Sequence, residues 1–128
     1  MQNPVKVLVV DDSPTLCLLM TRALQNAGYH VITASNGNDG LLKILHERPL
    51  CVVLDVVLPG MSGFGLCRQI RALDPQRRVS IIMVSTKNTP LDHSWGLRQG
   101  ADRYLAKPFT DETLVHMVEE VMQSRTLR

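Results

Sequence analysis

The hydrophobic positions of the chain follow two alternating periods, and these predict its secondary structure. Short continuous apolar runs, typical of strands buried on both faces, alternate with segments whose apolar residues recur every three or four positions, as on a helix. The predicted strands are residues 6–10, 30–34, 51–54, 79–84 and 103–106. The first predicted helix runs from Ser13-Pro14 to Gly28, and the second surrounds Leu41–Leu45 after an Asn36-Gly37 turn. The third spans residues 63–73, the fourth runs from Thr89-Pro90 to Gly100, and the fifth follows Thr110.

Five strands that alternate with five helices predict an α/β fold with one parallel sheet and helices on both of its faces. A length of 128 residues suits one domain, and we expect residues 1–128 to form it without a separate output domain. In the third helix the spacing predicts that four residues face the core: Leu66, Cys67, Ile70 and Leu73.

Polar side chains stand at the carboxyl end of four predicted strands. Asp11 and Asp12 follow the first strand, Asp55 the third, Ser85 the fourth and Lys107 the fifth. In open parallel sheets ligands bind beyond the carboxyl ends of the strands, so we expect these side chains to converge on one site. Each alone has an ordinary explanation, such as a helix cap or a solvated lysine, and only their common edge argues for function.

Three carboxylates and one lysine leave this site short of positive charge. Two carboxylates about 4 Å apart repel by roughly 4 kcal/mol at an effective dielectric constant near 20. Either protons bind and raise the carboxyl pKa values, or a hard divalent cation binds, and a set of oxygen ligands favours Mg²⁺. A metal opposite Lys107 and the Ser85 hydroxyl would form a clamp for a phosphoryl group, with Asp55 as the nucleophile.

Composition and charge exclude several other classes of protein. Fourteen basic against twelve acidic residues give no footprint for nucleic acid, so we expect no direct DNA binding. No apolar run reaches the roughly 20 residues that span a bilayer, and the N-terminus is unlike a signal peptide, so membrane insertion is not expected. Cys17, Cys51 and Cys67 have no metal-binding spacing, which favours reduced cysteines in a cytoplasmic protein.

Four sequence blocks resemble the receiver domain of two-component response regulators. In chain order they are VLVVDDSP, VVLDVVLPGMSGF, IIMVST and GADRYLAKPF, and the resemblance covers essentially the whole chain. It implies a flavodoxin-like, doubly wound sheet with strand order 2-1-3-4-5. The run SWGLRQGADRYLAKPF looks most similar to single-domain regulators of twitching motility in type IV pilus systems.

The resemblance also implies a role for each site residue. Asp55 would accept a phosphoryl group from a sensor histidine kinase, and Ser85 and Lys107 would hold that group. Mg²⁺ would be bound by Asp11, Asp12, Asp55 and the backbone carbonyl of Val57. Tyr104 would be an aromatic switch that turns inward as Ser85 moves, and the peptide between Lys107 and Pro108 would be cis.

Two residues depart from the pattern of the family. Thr86 stands where a small residue is usual, and Val57 replaces a side chain that is commonly polar. We expect both to narrow the approach of water and so to alter the lifetime of the phosphoryl group.

The output is expected to be contact with a downstream protein, through the surface of the fourth helix, fifth strand and fifth helix. Leu91, Trp95 and Arg98 share one helical face by their spacing, with Trp95 near the surface beside Tyr104. Gly96 and Leu97 are expected to face the sheet.

Three alternatives to this phosphorylation-dependent switch remain open. The first is a phosphate sink that drains a kinase without an output target, which the sequence does not separate from the switch. An aspartyl-nucleophile phosphatase would usually carry a second acid at position 57, where this chain has Val57. A flavin carrier would need a first loop rich in Ser, Thr and Gly, whereas Asp11 and Asp12 would repel a phosphate.

Overall fold

The structure, a computed structural model, describes residues 4–126. Within these residues a parallel sheet of five strands has the order β2-β1-β3-β4-β5, which confirms the predicted fold. The strands are β1 Lys6–Val10, β2 His30–Ala34, β3 Cys51–Asp55, β4 Ser80–Ser85 and β5 Arg103–Ala106. The helices are α1 Pro14–Asn26, α2 Gly37–Glu47, α3 Gly63–Leu73, α4 Pro90–Arg98 and α5 Asp111–Thr126.

Alternate residues of each strand face opposite sides of the sheet and contribute to two apolar cores. In β1, Leu8 and Val10 pack with residues of α2 and α3, while Val7 and Val9 pack with residues of α1 and α5. The central strand β3 is buried along its whole length, which explains its unbroken apolar sequence.

Helix caps come from the residues that the sequence suggested, with two additions, Asn36 at α2 and Ser62 at α3. The Ser13 side chain caps α1, and Thr89 forms a capping box with Asp92 at the start of α4. Asn36 was predicted only as part of a turn. Its side chain accepts a hydrogen bond from the Asp39 amide and so caps α2, which begins at Gly37.

The predicted strand bounds shift by one residue at two places. Asp55 is the last residue of β3, because Asp55 pairs in register with Val84 of β4. Strand β4 begins at Ser80 instead of residue 79 and continues to Ser85, which pairs with Ala106. Both changes carry the strands further toward the edge where the polar side chains lie.

The prediction that Leu73 faces the core is wrong. Leu66, Cys67 and Ile70 are fully buried, but Leu73 is 53% exposed. Leu73 is the last residue of α3, and the inward side at that end is taken by Arg71. The Arg71 guanidinium donates hydrogen bonds to the carbonyls of Val79 and Gly100 and to the Asp102 carboxylate.

No helix in the described range 4–126 is long and apolar enough to cross a membrane. The peptide between Lys107 and Pro108 is cis, as expected.

Candidate functional site

The site lies at the carboxyl edge of the sheet, where Asp55 ends β3 and where Asp11 and Lys107 directly follow β1 and β5. One carboxylate oxygen each from Asp11, Asp12 and Asp55 lies within 4.8 Å of the others. The Lys107 Nζ lies 3.0 Å from Asp55 Oδ2 and 3.4 Å from Asp11 Oδ2. The structure therefore brings together the three acids and the lysine that the sequence placed at strand ends.

Asp11 is the most enclosed of the three acids, at 2% exposed. Its Oδ1 accepts a hydrogen bond from the Ser13 amide at 2.8 Å, which holds the side chain at the start of α1. Burial raises the pKa of Asp11 above its ordinary value, although the Ser13 amide and Lys107 act in the opposite direction. The raised pKa shows that the neighbouring lysine does not fully compensate this buried charge.

Asp55 is buried at the end of β3 and is fixed by its own loop. Its Oδ1 accepts a hydrogen bond from the Val57 amide at 3.2 Å, and its Oδ2 accepts from Lys107. The loop after Asp55 turns sharply, since the Gly63 amide donates to the Val56 carbonyl at 2.7 Å. A Cβ atom at Gly63 would lie 2.2 Å from the Asp55 carbonyl oxygen, so glycine is required there.

Ser85 and Tyr104 are joined through the backbone of one residue, Lys87. The Ser85 Oγ accepts a hydrogen bond from the Lys87 amide at 3.0 Å. The Tyr104 hydroxyl donates to the Lys87 carbonyl at 2.8 Å, and the Tyr104 ring is buried. This role of Lys87 could not be predicted, because backbone groups carry no sequence signature.

The face of α4 that meets the sheet was predicted correctly for Gly96 and wrongly for Leu97. A Cβ at Gly96 would lie 2.7 Å from Tyr104 Cδ2, so the helix packs directly on that ring, whereas Leu97 is 49% exposed. Successive residues of a helix are about 100° apart, so the neighbour of a residue that faces the sheet points sideways.

Trp95 is 47% exposed, but it does not stack beside Tyr104. Its ring meets Phe64 of α3 edge to face, with the ring centroids 6.5 Å apart. The Tyr104 ring instead lies 4.4 Å from the ring of His93 in α4.

The donor set of the acidic cluster fits a hard divalent cation. Three carboxylate oxygens lie close together. Within residues 4–126, these three acids form the one group of at least three His, Cys, Asp or Glu side chains that are close enough together to hold a metal ion. Oxygen ligands of this kind suit Mg²⁺ better than a transition metal, which would favour imidazole or thiolate.

Parallel five-stranded topology and an edge of three acids with one lysine define a recognisable class of protein. The chain belongs to the family of response regulator receiver domains, whose family model matches residues 7–119.

Among curated proteins, the chain is 39% identical over 117 residues to Protein PilH of Pseudomonas aeruginosa, covering 91% of this chain and 97% of that protein. It is 37% identical over 118 residues to the alkaline phosphatase synthesis transcriptional regulatory protein PhoP of Bacillus subtilis, covering 92% of this chain and 48% of PhoP. The chain thus spans nearly all of one relative and about half the length of the matched transcriptional regulators.

Solved structures agree with this assignment. The chemotaxis response regulator CheY4 of Vibrio cholerae superimposes with a TM-score of 0.88 at 34% identity, covering 93% of this chain and 99% of that chain. The DrrB receiver domain, in a form activated by BeF3, superimposes with a TM-score of 0.85 at 31% identity, covering 94% and 99% of the two chains.

Proposed function

We propose that this chain is a phosphorylation-dependent signalling switch that accepts a phosphoryl group on Asp55 from a sensor histidine kinase. The observation that carries the proposal is the Lys107 Nζ, 3.0 Å from Asp55 Oδ2, inside a cluster of three acids. A lysine in this position neutralises the phosphoryl oxygens as charge develops on them. Membership of the receiver family supports the same chemistry.

The chemical step is a phosphoryl transfer between two nucleophiles. A carboxylate oxygen of Asp55 attacks the phosphorus of a phosphohistidine, the new P–O bond forms, and the P–N bond breaks. The imidazole leaves with the electron pair and takes a proton from solvent. Later a water molecule attacks the phosphorus, and inorganic phosphate leaves Asp55 free again. These two reactions on itself are the only catalysis that we propose for the chain.

Mg²⁺ is the cofactor that we propose for both reactions. Asp11, Asp12, Asp55 and the Val57 carbonyl would bind it, and the three carboxylates have the proximity and charge that this requires. When bound, the ion supplies positive charge against the transferring phosphoryl oxygens. Lys107 then needs to balance only the remaining charge of the group.

Lys87 provides the route by which the state of Asp55 would reach α4. If the Ser85 hydroxyl turned to a phosphoryl group on Asp55, its hydrogen bond with the Lys87 amide would be lost. Lys87 also accepts the hydrogen bond of Tyr104, whose ring contacts Gly96 and His93 of α4. A change at Ser85 would therefore change the α4–β5–α5 surface, which we propose as a surface for a downstream protein.

We propose control of motility, of the type IV pilus or chemotaxis kind, as the pathway. Likeness to PilH along most of the chain and to the chemotaxis regulator CheY4 supports this assignment. The free thiols of Cys17, Cys51 and Cys67 support a cytoplasmic location, where thiols stay reduced.

Intact mass after incubation with a small phosphodonor and Mg²⁺ tests the central claim. The wild type should gain one phosphoryl group, and the Asp55→Asn variant and a sample with a chelator should gain none. A wild type that gains nothing, or an Asp55→Asn variant that gains as much, would overturn the proposal. A pull-down with and without a phosphoryl mimic then separates a switch, which captures a target, from a phosphate sink, which does not.

A further inference from the structure

The two sides of α4 carry different sets of exposed side chains. Gly96 packs on Tyr104, so Trp95 and Leu97 project to opposite sides of the helix. The Trp95 side faces α3, because its ring contacts Phe64. The Leu97 side adjoins His93 and belongs to the α4–β5–α5 surface. Of the output residues expected from the sequence, Leu91 and Arg98 share the Trp95 side by their helical spacing, whereas Tyr104 lies in β5 against Gly96.

A groove on this α3 side reaches almost to the phosphoacceptor. It has a volume of about 350 Å³, and its lining includes Val57, Met61, Phe64 and Lys87. Val57 stands two residues after Asp55 and is 64% exposed. Such exposure of an apolar side chain beside a charged site is unusual.

Helix α4 continues the apolar surface beyond this groove. Trp95 packs on Phe64, and Leu91, one helical turn from Trp95, is 78% exposed. We call this continuous set, Val57, Phe64, Leu91 and Trp95, the α3–α4 surface.

Positive charges that form no ion pair lie beside the α3–α4 surface. Hydrogen bonds from Thr89 lower the pKa of the Asp92 carboxyl, and one of these charges, Lys87, is close enough to Asp92 to lower that pKa further. Arg68, Lys87 and Arg98 form no ion pair within residues 4–126. Arg68 donates a hydrogen bond to the neutral side chain of Gln99. The nearest acid on α4, Asp92, is engaged in the capping box with Thr89.

We propose that the α3–α4 surface docks an acidic amphipathic helix of a partner protein. A helix with apolar residues at spacings of three and four places them on one face, which suits a groove with aromatic and aliphatic walls. Acidic residues beside that face would pair with Arg68, Lys87 and Arg98, so charge complementarity selects acidic over basic segments. Trp95 is the anchor, since a half-exposed tryptophan gains most by burial in an interface.

This docking site is separate from the α4–β5–α5 surface and needs no phosphoryl group, since its side chains are already exposed in the described chain. It goes beyond the phosphorylation switch, and the two proposals fail in different measurements. Gain of mass tests phosphorylation, whereas binding to the unphosphorylated protein tests the docking site.

The fluorescence of Trp95 gives a direct test, because the sequence contains one tryptophan. The probe is a synthetic helical peptide of about 16 residues without tryptophan or tyrosine, with leucines on one face and glutamates elsewhere. A matched peptide has lysine in place of every glutamate. We expect the acidic peptide to give a saturable change in Trp95 emission and to bind at least about tenfold more tightly than the basic one. Raising the salt from about 0.05 M to about 0.5 M should weaken that binding.

Variants on the two sides of α4 locate the binding. Leu91→Ala and Arg98→Ala should each weaken it by about fivefold or more, and Leu97→Ala, on the opposite side of α4 and 49% exposed against 78% for Leu91, should leave it unchanged. No saturable response, equal binding of the two peptides, or an equal loss in Leu97→Ala would overturn the proposal. So would a Trp95 signal that changes with protein concentration alone, since a second copy of the chain would then be the occupant.

Discussion

Removal of one carboxylate from the acidic cluster should stabilise the metal-free protein. The change is Asp11→Asn, which keeps the shape of the side chain and the oxygen that accepts the Ser13 amide hydrogen bond. It deletes one charge of a cluster in which three acids are balanced by Lys107 alone among the described ion pairs.

The expected gain follows from the distances in the site. Selected carboxylate oxygens of the three acids lie no more than 4.8 Å apart, so at an effective dielectric constant near 20 Asp11 is repelled by Asp12 and by Asp55 by about 3.5 kcal/mol or more each. At 3.4 Å its attraction to Lys107 is about 5 kcal/mol in the same medium. Repulsion therefore exceeds attraction, and we expect Asp11→Asn to raise the free energy of unfolding by about 2 kcal/mol.

Urea unfolding in the presence of a chelator and in excess Mg²⁺ checks this expectation. The gain should be seen with the chelator and should vanish or reverse with Mg²⁺, since a bound ion stabilises the wild type by mass action and the variant has lost a ligand. Asp39→Asn is the matched control, because its carboxylate pairs with Lys43 at the surface. That change should alter stability by less than about 0.5 kcal/mol, whether or not Mg²⁺ is present.

The pH dependence of stability gives an independent check with a defined sign. The folded-state pKa of Asp11 is raised above 3.8, so the folded protein holds this proton more tightly than the unfolded chain does. Asp11 should therefore make the metal-free wild type more stable as the pH falls through its folded pKa toward 3.8. The Asn variant should lack this contribution. A variant that is less stable than wild type in chelator, or that gains equally with Mg²⁺, would refute the electrostatic reasoning.

Three further changes test other parts of the structure. Val57→Asn should change the rate of phosphoryl loss by about fivefold, equivalent to one hydrogen bond to water of about 1 kcal/mol, and an unchanged hydrolysis rate would remove the proposed role of Val57. Gly96→Ala should lower the free energy of unfolding by about 1–2 kcal/mol, because its Cβ would meet Tyr104 at 2.7 Å. Gly65→Ala, where the nearest neighbour of the added Cβ is 3.6 Å away, should not lower it, and equal effects of the two changes in urea unfolding would contradict the packing. Burial raises the pKa of Cys51 to about 12 and of Cys67 to about 11. In alkylation at pH 8 followed by mass spectrometry, both thiols of the folded protein should therefore react far more slowly than in urea. Reaction of the folded protein at the rate of the unfolded chain would show that the two cores open.

Strand positions and the acidic cluster could be predicted because each depends on a strong local signal. Buried strands of a parallel sheet need unbroken apolar runs, and the charged residues that end those runs mark the edge of the sheet. Asp55 was placed just beyond β3 and is its last residue, a difference that leaves its side chain at the same edge. The distances from Lys107 to Asp11 and Asp55 could not be predicted, because they depend on how far the side chain that follows β5 reaches across the end of β4.

The orientation of α4 could not be predicted, because its apolar residues do not mark one face. Leu91, Trp95 and Leu97 are all exposed, and Gly96 is the one residue of the helix that is buried. A glycine that packs on a ring leaves no hydrophobic side chain to indicate the inward direction, so periodicity has little to detect. Trp95 and Leu97 could have indicated the orientation of α4, because the two neighbours of a residue that faces the sheet must project to opposite sides of the helix.

Lys87 connects both sides of α4 to the site, and this gives the two proposed surfaces a common physical cause. Its amide bonds to Ser85, its carbonyl accepts from Tyr104, and Lys87 also lines the groove beside Val57 and Phe64. A shift of Ser85 toward a phosphoryl group would release the Lys87 amide and displace the backbone that carries its side chain. The same displacement would loosen Tyr104 under the α4–β5–α5 surface and move a positive charge at the rim of the α3–α4 surface. Phosphorylation should therefore alter the affinity of the acidic peptide as well as that of a downstream target, and a peptide affinity that is identical with and without beryllium fluoride would show that Lys87 does not couple them.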